Sequence, residues 1–241
     1  GVSEFRGNNS DTRGHGLDVI LNTTNINRAI KWNTTFLWSY LTEKVTTYKI
    51  KSGGQRYLNS GSGASLVNYP LEGKPLFAIY SLPSAGLDPQ TGDPRGYVEG
   101  QPSSDYQAIL DKATPESIIY HGPARPTTFG SVRNTLTWKN ISFSFNISYR
   151  LGYYFRRNSV RYSNVLAGLV DHGDYANRWQ KPGDEMFTSV PSMPEAINYN
   201  RDAFYQYSSA LVEKGDHIRL QDINLTYTLD KQFFQKLPVS K

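Results

Sequence analysis

Residues 127–157 read TTFGSVRNTLTWKNISFSFNISYRLGYYFRR, and their alternation decides the fold. Over residues 141–151 every odd position is apolar or aromatic and every even position is polar, which is the pattern of a β-strand with one apolar face. Just upstream, Leu136 and Trp138 have the opposite parity. A two-residue turn at residues 139–140 would bring both apolar sets onto one face, so the sequence predicts a β-hairpin.

The same period of two marks other segments of the chain. We predict five strands, at about residues 14–22, 28–49, 127–138, 141–157 and 217–229. Short turns at residues 22–27 and 139–140 alternate with long connections at about residues 50–126 and 158–216. In an up-and-down antiparallel arrangement the short turns lie at one end and the long connections at the other, as in outer-membrane barrels.

The sequence therefore predicts an all-β fold, namely a segment of an antiparallel transmembrane β-barrel (a partial barrel) with long extracellular loops. Five side chains of the central hairpin are expected to face lipid: Trp138, Ile141, Phe143, Phe145 and Ile147. The alternation alone also fits a secreted, soluble β-sandwich whose apolar face packs on a second sheet and whose loops bind glycans.

Patterns inside the long connections are weaker. Residues 75–82 (PLFAIYSL) predict a short buried strand, and residues 101–113 predict a short helix capped by Ser103 or Ser104. Residues 230–237 predict a helical turn after the last strand. Most of residues 50–126 and 158–216 is therefore expected to be irregular.

The composition excludes several classes of protein. No apolar run approaches the roughly 18 residues of a membrane-spanning helix. The net charge is +5, but Lys and Arg are spread along the chain and form no nucleic-acid-binding stripe. The absence of cysteine excludes disulfides and thiolate metal sites. The first residues, GVSEFRGNN, lack the features of a signal peptide, so we expect a mature chain or a piece of a longer protein.

The polar clusters form no active-site constellation. Asp171, His172 and Asp174 are the densest acidic and imidazole group, but nothing else completes a catalytic or ligand set, so we expect a solvated loop. Residues 88–93 (DPQTGD) are expected to form a structural turn. We therefore expect no enzyme activity, no catalytic or metal-binding residues and no cofactor. Trp179 either stacks on a sugar ring or anchors its own loop, and the sequence leaves both open.

Four segments resemble motifs of the C-terminal half of the SusC/RagA family of TonB-dependent outer-membrane transporters, in the family's order. They are Ala85–Pro94 (AGLDPQTGDP), Phe129–Phe145 (FGSVRNTLTWKNISFSF), Asn177–Glu185 (NRWQKPGDE) and Ile218–Leu229 (IRLQDINLTYTL). The resemblance implies a bacterial outer-membrane barrel that imports oligosaccharides or peptides, driven by TonB and covered by a SusD-like lipoprotein. The plug domain, the TonB-contacting segment and the final strands would lie outside these residues.

The residues and the strand topology also suggest roles for particular side chains. Four loop residues are candidates for contact with substrate or partner: Asp174, Tyr175, Arg178 and Trp179. If the turn at residues 139–140 is periplasmic, the aromatic residues 153–155 lie at the outer membrane interface, with Arg156 and Arg157 reaching lipid head groups or lipopolysaccharide phosphates. The alternative is a solvated strand end.

Overall fold

A computed structural model describes residues 10–49, 53–58, 69–170 and 172–229 of the chain. The chain divides into two compact units. Residues 15–42, 126–152 and 215–241 form the first, which we call the sheet unit, and residues 1–14, 43–125 and 153–214 form the second, the loop unit. The helical turn predicted at residues 230–237 lies outside the described residues.

Within the described residues, one antiparallel sheet of five strands forms the sheet unit, which confirms the predicted all-β, antiparallel fold class. Its strands are β1 (Ser10–Asn27), β2 (Ile30–Tyr48), β7 (Thr128–Trp138), β8 (Ile141–Leu151) and β11 (His217–Tyr227), in that spatial order. Two-residue turns at residues 28–29 and 139–140 join neighbouring strands at one end of the sheet. Both long connections leave and re-enter the sheet at the other end.

Two of the predicted strands have wrong boundaries. The first strand was expected over residues 14–22, but it spans Ser10–Asn27, and the chain turns at residues 28–29 instead of 22–27. The strand expected over residues 141–157 ends at Leu151. It ends there because Gly152 has φ +76°, in the left-handed region, and its N–H donates to the carboxylate of Asp216 at 2.6 Å.

The register places the apolar side chains of four strands on one face. Trp138 lies opposite Ile141 and Leu136 opposite Phe143, as the hairpin pattern predicts. In β11 the apolar parity changes from even to odd, and a bulge between Leu220 and Asp222 compensates for the change. The following residues share this apolar face: Ile30, Trp32, Phe36, Trp38, Val132, Leu136, Trp138, Ile141, Phe143, Phe145, Ile147, Ile218, Leu220, Ile223, Leu225 and Tyr227.

The loop unit contains the short elements of the chain. In the part of this unit that the structure describes, the strands form three two-stranded pairs: β3 (Ala78–Ser81) with β6 (Ile119–Pro123), β4 (Gly96–Val98) with β5 (Gln101–Ser103), and β9 (Tyr154–Arg156) with β10 (Val212–Lys214). Its α-helices are α1 (Gly54–Leu58), α2 (Tyr106–Asp111), α3 (Tyr162–Leu166) and α4 (Tyr199–Tyr207). Short 3-10 helices lie at Gly173–Asn177, Asp184–Met186 and Ser209–Leu211. No helix in the described ranges is long and apolar enough to cross a membrane.

The loop unit has its own core, built from its short helices and strands and from the irregular segments between them. One buried cluster centres on Tyr80, Leu58 and Phe204, and a second on Tyr162 and Leu211. The short buried strand predicted at residues 75–82 corresponds to β3, whose four residues are all buried. These clusters bring together aromatic and aliphatic side chains from segments that have little regular secondary structure.

The helix predicted over residues 101–113 is shorter than expected. It spans Tyr106–Asp111, because Gln101–Ser103 form β5 instead. Asp105, and neither of the two predicted serines, caps the helix by accepting a hydrogen bond from the Ala108 N–H at 3.0 Å.

Arg201 of α4 connects distant segments of the loop unit. Its side chain is only 4% exposed, and its Nε donates to Asp93 at 2.8 Å. Its Nη2 donates to the Ser192 carbonyl at 2.8 Å, and its guanidinium lies 5.2 Å from the ring centre of Tyr162. A buried charge with a paired carboxylate fixes the turn at residues 88–93 against α4.

Candidate binding surfaces

The apolar face of the sheet is exposed in the described residues. Trp138 is 50% exposed and Leu225 is 74% exposed, and Ile141 and Phe143 are exposed as well. Phe145 and Ile147, the other two residues expected to face lipid, are half-buried between their neighbours on the sheet. An apolar surface of this extent is unusual for a protein face in contact with water.

A row of polar groups crosses the apolar face, and its members bond to one another. Asn134 accepts hydrogen bonds from the Trp32 Nε1–H at 2.9 Å and from the Thr34 hydroxyl at 2.7 Å. Asn25 donates to the Thr34 hydroxyl oxygen at 2.7 Å, and the Thr23 hydroxyl donates to Asn25 at 2.9 Å. The row therefore satisfies polar atoms within the sheet and does not depend on water for these bonds.

The opposite face of the sheet is polar and carries an ion pair. Arg133 and Asp222 lie on β7 and β11, one on each side of Asn146 in β8, and their charged groups are 2.9 Å apart. The Oδ1 atom of Asn146 is buried and has no hydrogen-bond partner among the described residues. This face has the composition expected for the wet interior of a barrel.

Trp179 is an anchor of its own loop. Its side chain is only 7% exposed, and its ring packs against Gly92, at which an ideal Cβ would lie 2.3 Å from the indole carbons. The Trp179 Nε1–H donates to Glu185 at 3.0 Å, and its backbone N–H donates to the Val190 carbonyl at 2.9 Å. Of the two hypotheses that the sequence left open, the packing favours anchoring over sugar stacking.

Asp174 belongs to a polar network inside the loop unit. Its Oδ2 accepts hydrogen bonds from the Arg157 guanidinium and from the Ser159 hydroxyl, the latter at 2.7 Å. Burial alone would raise the pKa of Asp174, but the bonds from Ser159 and Arg157 outweigh it and lower the pKa. His172 lies 3.3 Å from the other carboxylate oxygen. Asp171, the remaining member of the predicted cluster, lies outside the described residues.

Arg156 and Arg157 do not extend freely, so the expectation that they reach lipid head groups is wrong for the arrangement observed. Arg156 donates to the carbonyl oxygens of Leu58, at 2.8 Å, and Tyr80, and burial lowers its pKa to about 10. Besides Asp174, Arg157 pairs with Glu213 at 3.0 Å. Both guanidinium groups therefore hold the loop unit together.

Tyr175 and Arg178 lie together at the surface of the loop unit. The Arg178 guanidinium stacks 4.2 Å from the ring centre of Tyr175, and its Nη1 donates to the Tyr175 carbonyl at 3.1 Å. Arg178 also lines a recess of about 300 Å³. Phe187 lies on the edge of that recess and is 89% exposed. The sequence analysis did not identify this residue. An apolar side chain in the turn-rich run GDEMFTS was the signal that could have identified it.

A second recess, of about 430 Å³, lies between α1, α2 and α4. Its amide side chains are already engaged, since Gln55 donates to the Leu110 carbonyl at 2.8 Å and Asn200 donates to Gln107 at 2.7 Å. Gln107 in turn donates to Asp111 at 2.5 Å. These bonds serve to hold the three helices together.

The chain matches no protein-family model. It also matches no curated protein sequence. Among solved structures it is similar to a chain of "Structure of the RagAB peptide transporter", with a TM-score of 0.64 and 20% sequence identity. The match covers 95% of this chain and 24% of that chain, so the present chain spans about a quarter of its neighbour. At this identity the similarity shows the fold, and it supports the predicted relation to the SusC/RagA family at that level only.

Proposed function

We propose that the chain is part of an outer-membrane, TonB-dependent importer of oligosaccharides or peptides that works with a SusD-like lipoprotein. The observation that carries the proposal is the exposed apolar face of the sheet with its internally bonded polar row. Its proposed role is binding and gated passage, with no bond made or broken.

The polar row is consistent with lipid as the neighbour of the apolar face. In water, Asn134 and Thr34 could bond to solvent, so nothing would require them to bond across strands. In a bilayer each unpaired polar group costs several kcal/mol, so polar groups must find partners inside the protein. The two strands of the central hairpin have 11 residues each, the length of a membrane-spanning β-strand.

The connections support an assignment of the two ends of the sheet. The turns at residues 28–29 and 139–140 have two residues each, as periplasmic turns do in outer-membrane barrels. The loop unit is built from the long connections and would face the outside of the cell. The fold similarity to a chain of the RagAB peptide transporter supports a transport-related role for this chain.

Partners follow from the proposed role. The lipoprotein would contact the loop unit, while TonB and the plug domain would act through parts of the protein outside these residues. The lipid bilayer and lipopolysaccharide would contact the apolar face, and no nucleic acid is involved. The rival hypothesis of a soluble β-sandwich requires a second sheet packed on the apolar face.

Fractionation of cells that produce the full-length protein tests the proposal. We expect the protein in the outer-membrane fraction, extractable only with detergent, and uptake of a substrate to fail in cells without TonB. Protease sites inserted in the loop unit should be cleaved in intact cells, whereas a site inserted at residues 139–140 should be protected. Recovery of the full-length protein as a folded monomer in buffer without detergent would exclude the proposed function.

A further inference from the structure

The recess beside Phe187 lies within one short segment of the loop unit. It measures about 300 Å³, the lower end of the range for ligand sites, and it is open and shallow. The residues that line it are Ala176, Asn177, Arg178, Gln180, Asp184, Phe187 and Thr188. Trp179 lies in the same segment and is buried against Gly92, so the recess rests on an anchored base.

Hydrogen bonds fix the backbone around the recess. Asp184 Oδ2 accepts from the N–H groups of Gln180 and Lys181 at 3.0 and 3.1 Å. The N–H groups of Phe187 and Thr188 donate to the Asp184 carbonyl at 2.9 and 3.0 Å. Because these groups bond within the segment, the recess is formed before any ligand arrives.

Several polar side chains around the recess remain available. The side-chain amide groups of Asn177 and Gln180 have no hydrogen-bond partner among the described residues. Asp184 uses only Oδ2 in the bonds given above, and Arg178 uses only Nη1 among its side-chain nitrogens. The recess thus combines planar donors and acceptors in a small volume.

The aromatic edge of the recess is the second distinctive feature. Phe187 is 89% exposed on a segment that is held in place by the bonds above, so its exposure is not a consequence of local disorder. A flat aromatic face suits the C–H patches of a sugar ring, while planar amides, a carboxylate and a guanidinium suit its hydroxyl groups.

A peptide fits the recess less well. Extended peptides are bound through free backbone groups at a strand edge, with pockets for alternate side chains. In this segment the N–H groups of Gln180, Phe187 and Thr188 are already engaged, and no strand borders the recess. We infer that the recess bounded by Asn177, Gln180 and Phe187 is a binding subsite for a neutral sugar residue of an oligosaccharide. The inference names a substrate class for the proposed importer and in that respect rests on the proposed function.

Calorimetric titration of the purified full-length protein in detergent tests the subsite. The probes are a panel of neutral gluco-, manno-, fructo- and xylo-oligosaccharides, with oligopeptides of similar length beside them. We expect at least one oligosaccharide to bind, and Phe187→Ala to weaken its binding about tenfold, the effect of losing one aromatic contact. Gln180→Ala should weaken binding about threefold to tenfold through the loss of a hydrogen-bonding amide.

Met186→Ala is the matched control for Phe187→Ala. Met186 is next in sequence and 78% exposed, but it does not line the recess. Its removal should change oligosaccharide affinity by less than about twofold. Neither side chain is buried, so both variants should fold as the original protein does.

Three results would overturn the subsite. They are binding of no oligosaccharide in the panel, equal affinity after Phe187→Ala, and dependence on Phe187 for oligopeptides alone. If Phe187→Ala and Met186→Ala both lowered the affinity for a lipoprotein partner and left oligosaccharide affinity unchanged, the segment that carries Phe187 would be assigned to protein docking. These failures are separate from failure of the proposed function, because membrane location and TonB-dependent uptake are measured in cells with the same variants.

Discussion

Gly92→Ala should destabilise the local structure of the segment that carries the recess, residues 176–188. An ideal Cβ at this position would lie 2.3 Å from two carbons of the Trp179 indole and 2.7 Å from a third. The ring cannot move aside freely, because it is buried and its Nε1–H is bonded to Glu185. Overpacking of this kind costs about 1–3 kcal/mol. The left-handed φ of +71° at Gly92 adds about 1–2 kcal/mol for a residue with a Cβ.

Gly86→Ala separates the two contributions. Gly86 has a φ of +77°, and an added Cβ there would meet no heavy atom within 4 Å. It should therefore show only the backbone cost of about 1–2 kcal/mol. The difference between the two alanine variants, about 1–3 kcal/mol, measures the contact between Gly92 and Trp179.

Amide hydrogen exchange over residues 177–192 is the assay, because it reports local opening free energies. We expect Gly92→Ala to raise exchange strongly at the Trp179 and Ser192 N–H groups, which donate to Val190 and Gly92 in the native protein. Gly86→Ala should leave these amides nearly unchanged. Equal exchange in the two variants would show that Trp179 does not anchor the segment through Gly92, and that the recess has no fixed base.

Two further predictions concern the sheet unit and the loop unit. Asn134→Ala should destabilise the detergent-solubilised protein by about 2–4 kcal/mol in thermal unfolding, since two donors lose their acceptor in an apolar medium. Asn33 is exposed on the polar face, so Asn33→Ala should cost less than about 0.5 kcal/mol in the same measurement. An equal effect of the two substitutions would mean that water covers both faces. Asp174→Asn should lower loop-unit stability near neutral pH by about 1–3 kcal/mol through loss of its charge-assisted bonds. Because folding lowers the pKa of Asp174, its contribution to stability is present above the ordinary carboxyl pKa and disappears as the pH falls through the lowered value. The stability difference between Asp174→Asn and the original protein, measured by hydrogen exchange, should therefore shrink under acid conditions and not under alkaline ones.

The sheet was predictable because apolar and polar residues alternate along its strands, and the two sets lie on opposite faces of the sheet. In β8 no residue breaks the period of two, and the observed strand begins at the predicted Ile141. The tight turn at residues 139–140 then sets the register of the whole hairpin. The bulge between Leu220 and Asp222 was harder to find, because a change of parity within one strand resembles the end of a strand.

The loop unit was less predictable because its contacts join distant residues. Arg156 bonds to the carbonyl groups of residues 58 and 80, and nothing in the sequence around those positions indicates an acceptor for a guanidinium. The prediction that the strand continues through residue 157 was wrong because of a similar distant contact: β9 pairs with β10 and does not extend β8. Local periodicity carries no information on such pairings.

Trp179 and Phe187 show why a single aromatic residue could not be assigned from the sequence. A buried indole needs an acceptor for its N–H, and Glu185 provides it from the same short turn that carries Phe187. Phenylalanine has no such requirement and can remain exposed while the turn is held in place. Burying Trp179 therefore fixes the turn that exposes Phe187, and Trp179 acts as a positioning residue for the recess. Substitution of Trp179 should accordingly weaken sugar binding only to the extent that it displaces Phe187, which hydrogen exchange and titration on the same variant can compare directly.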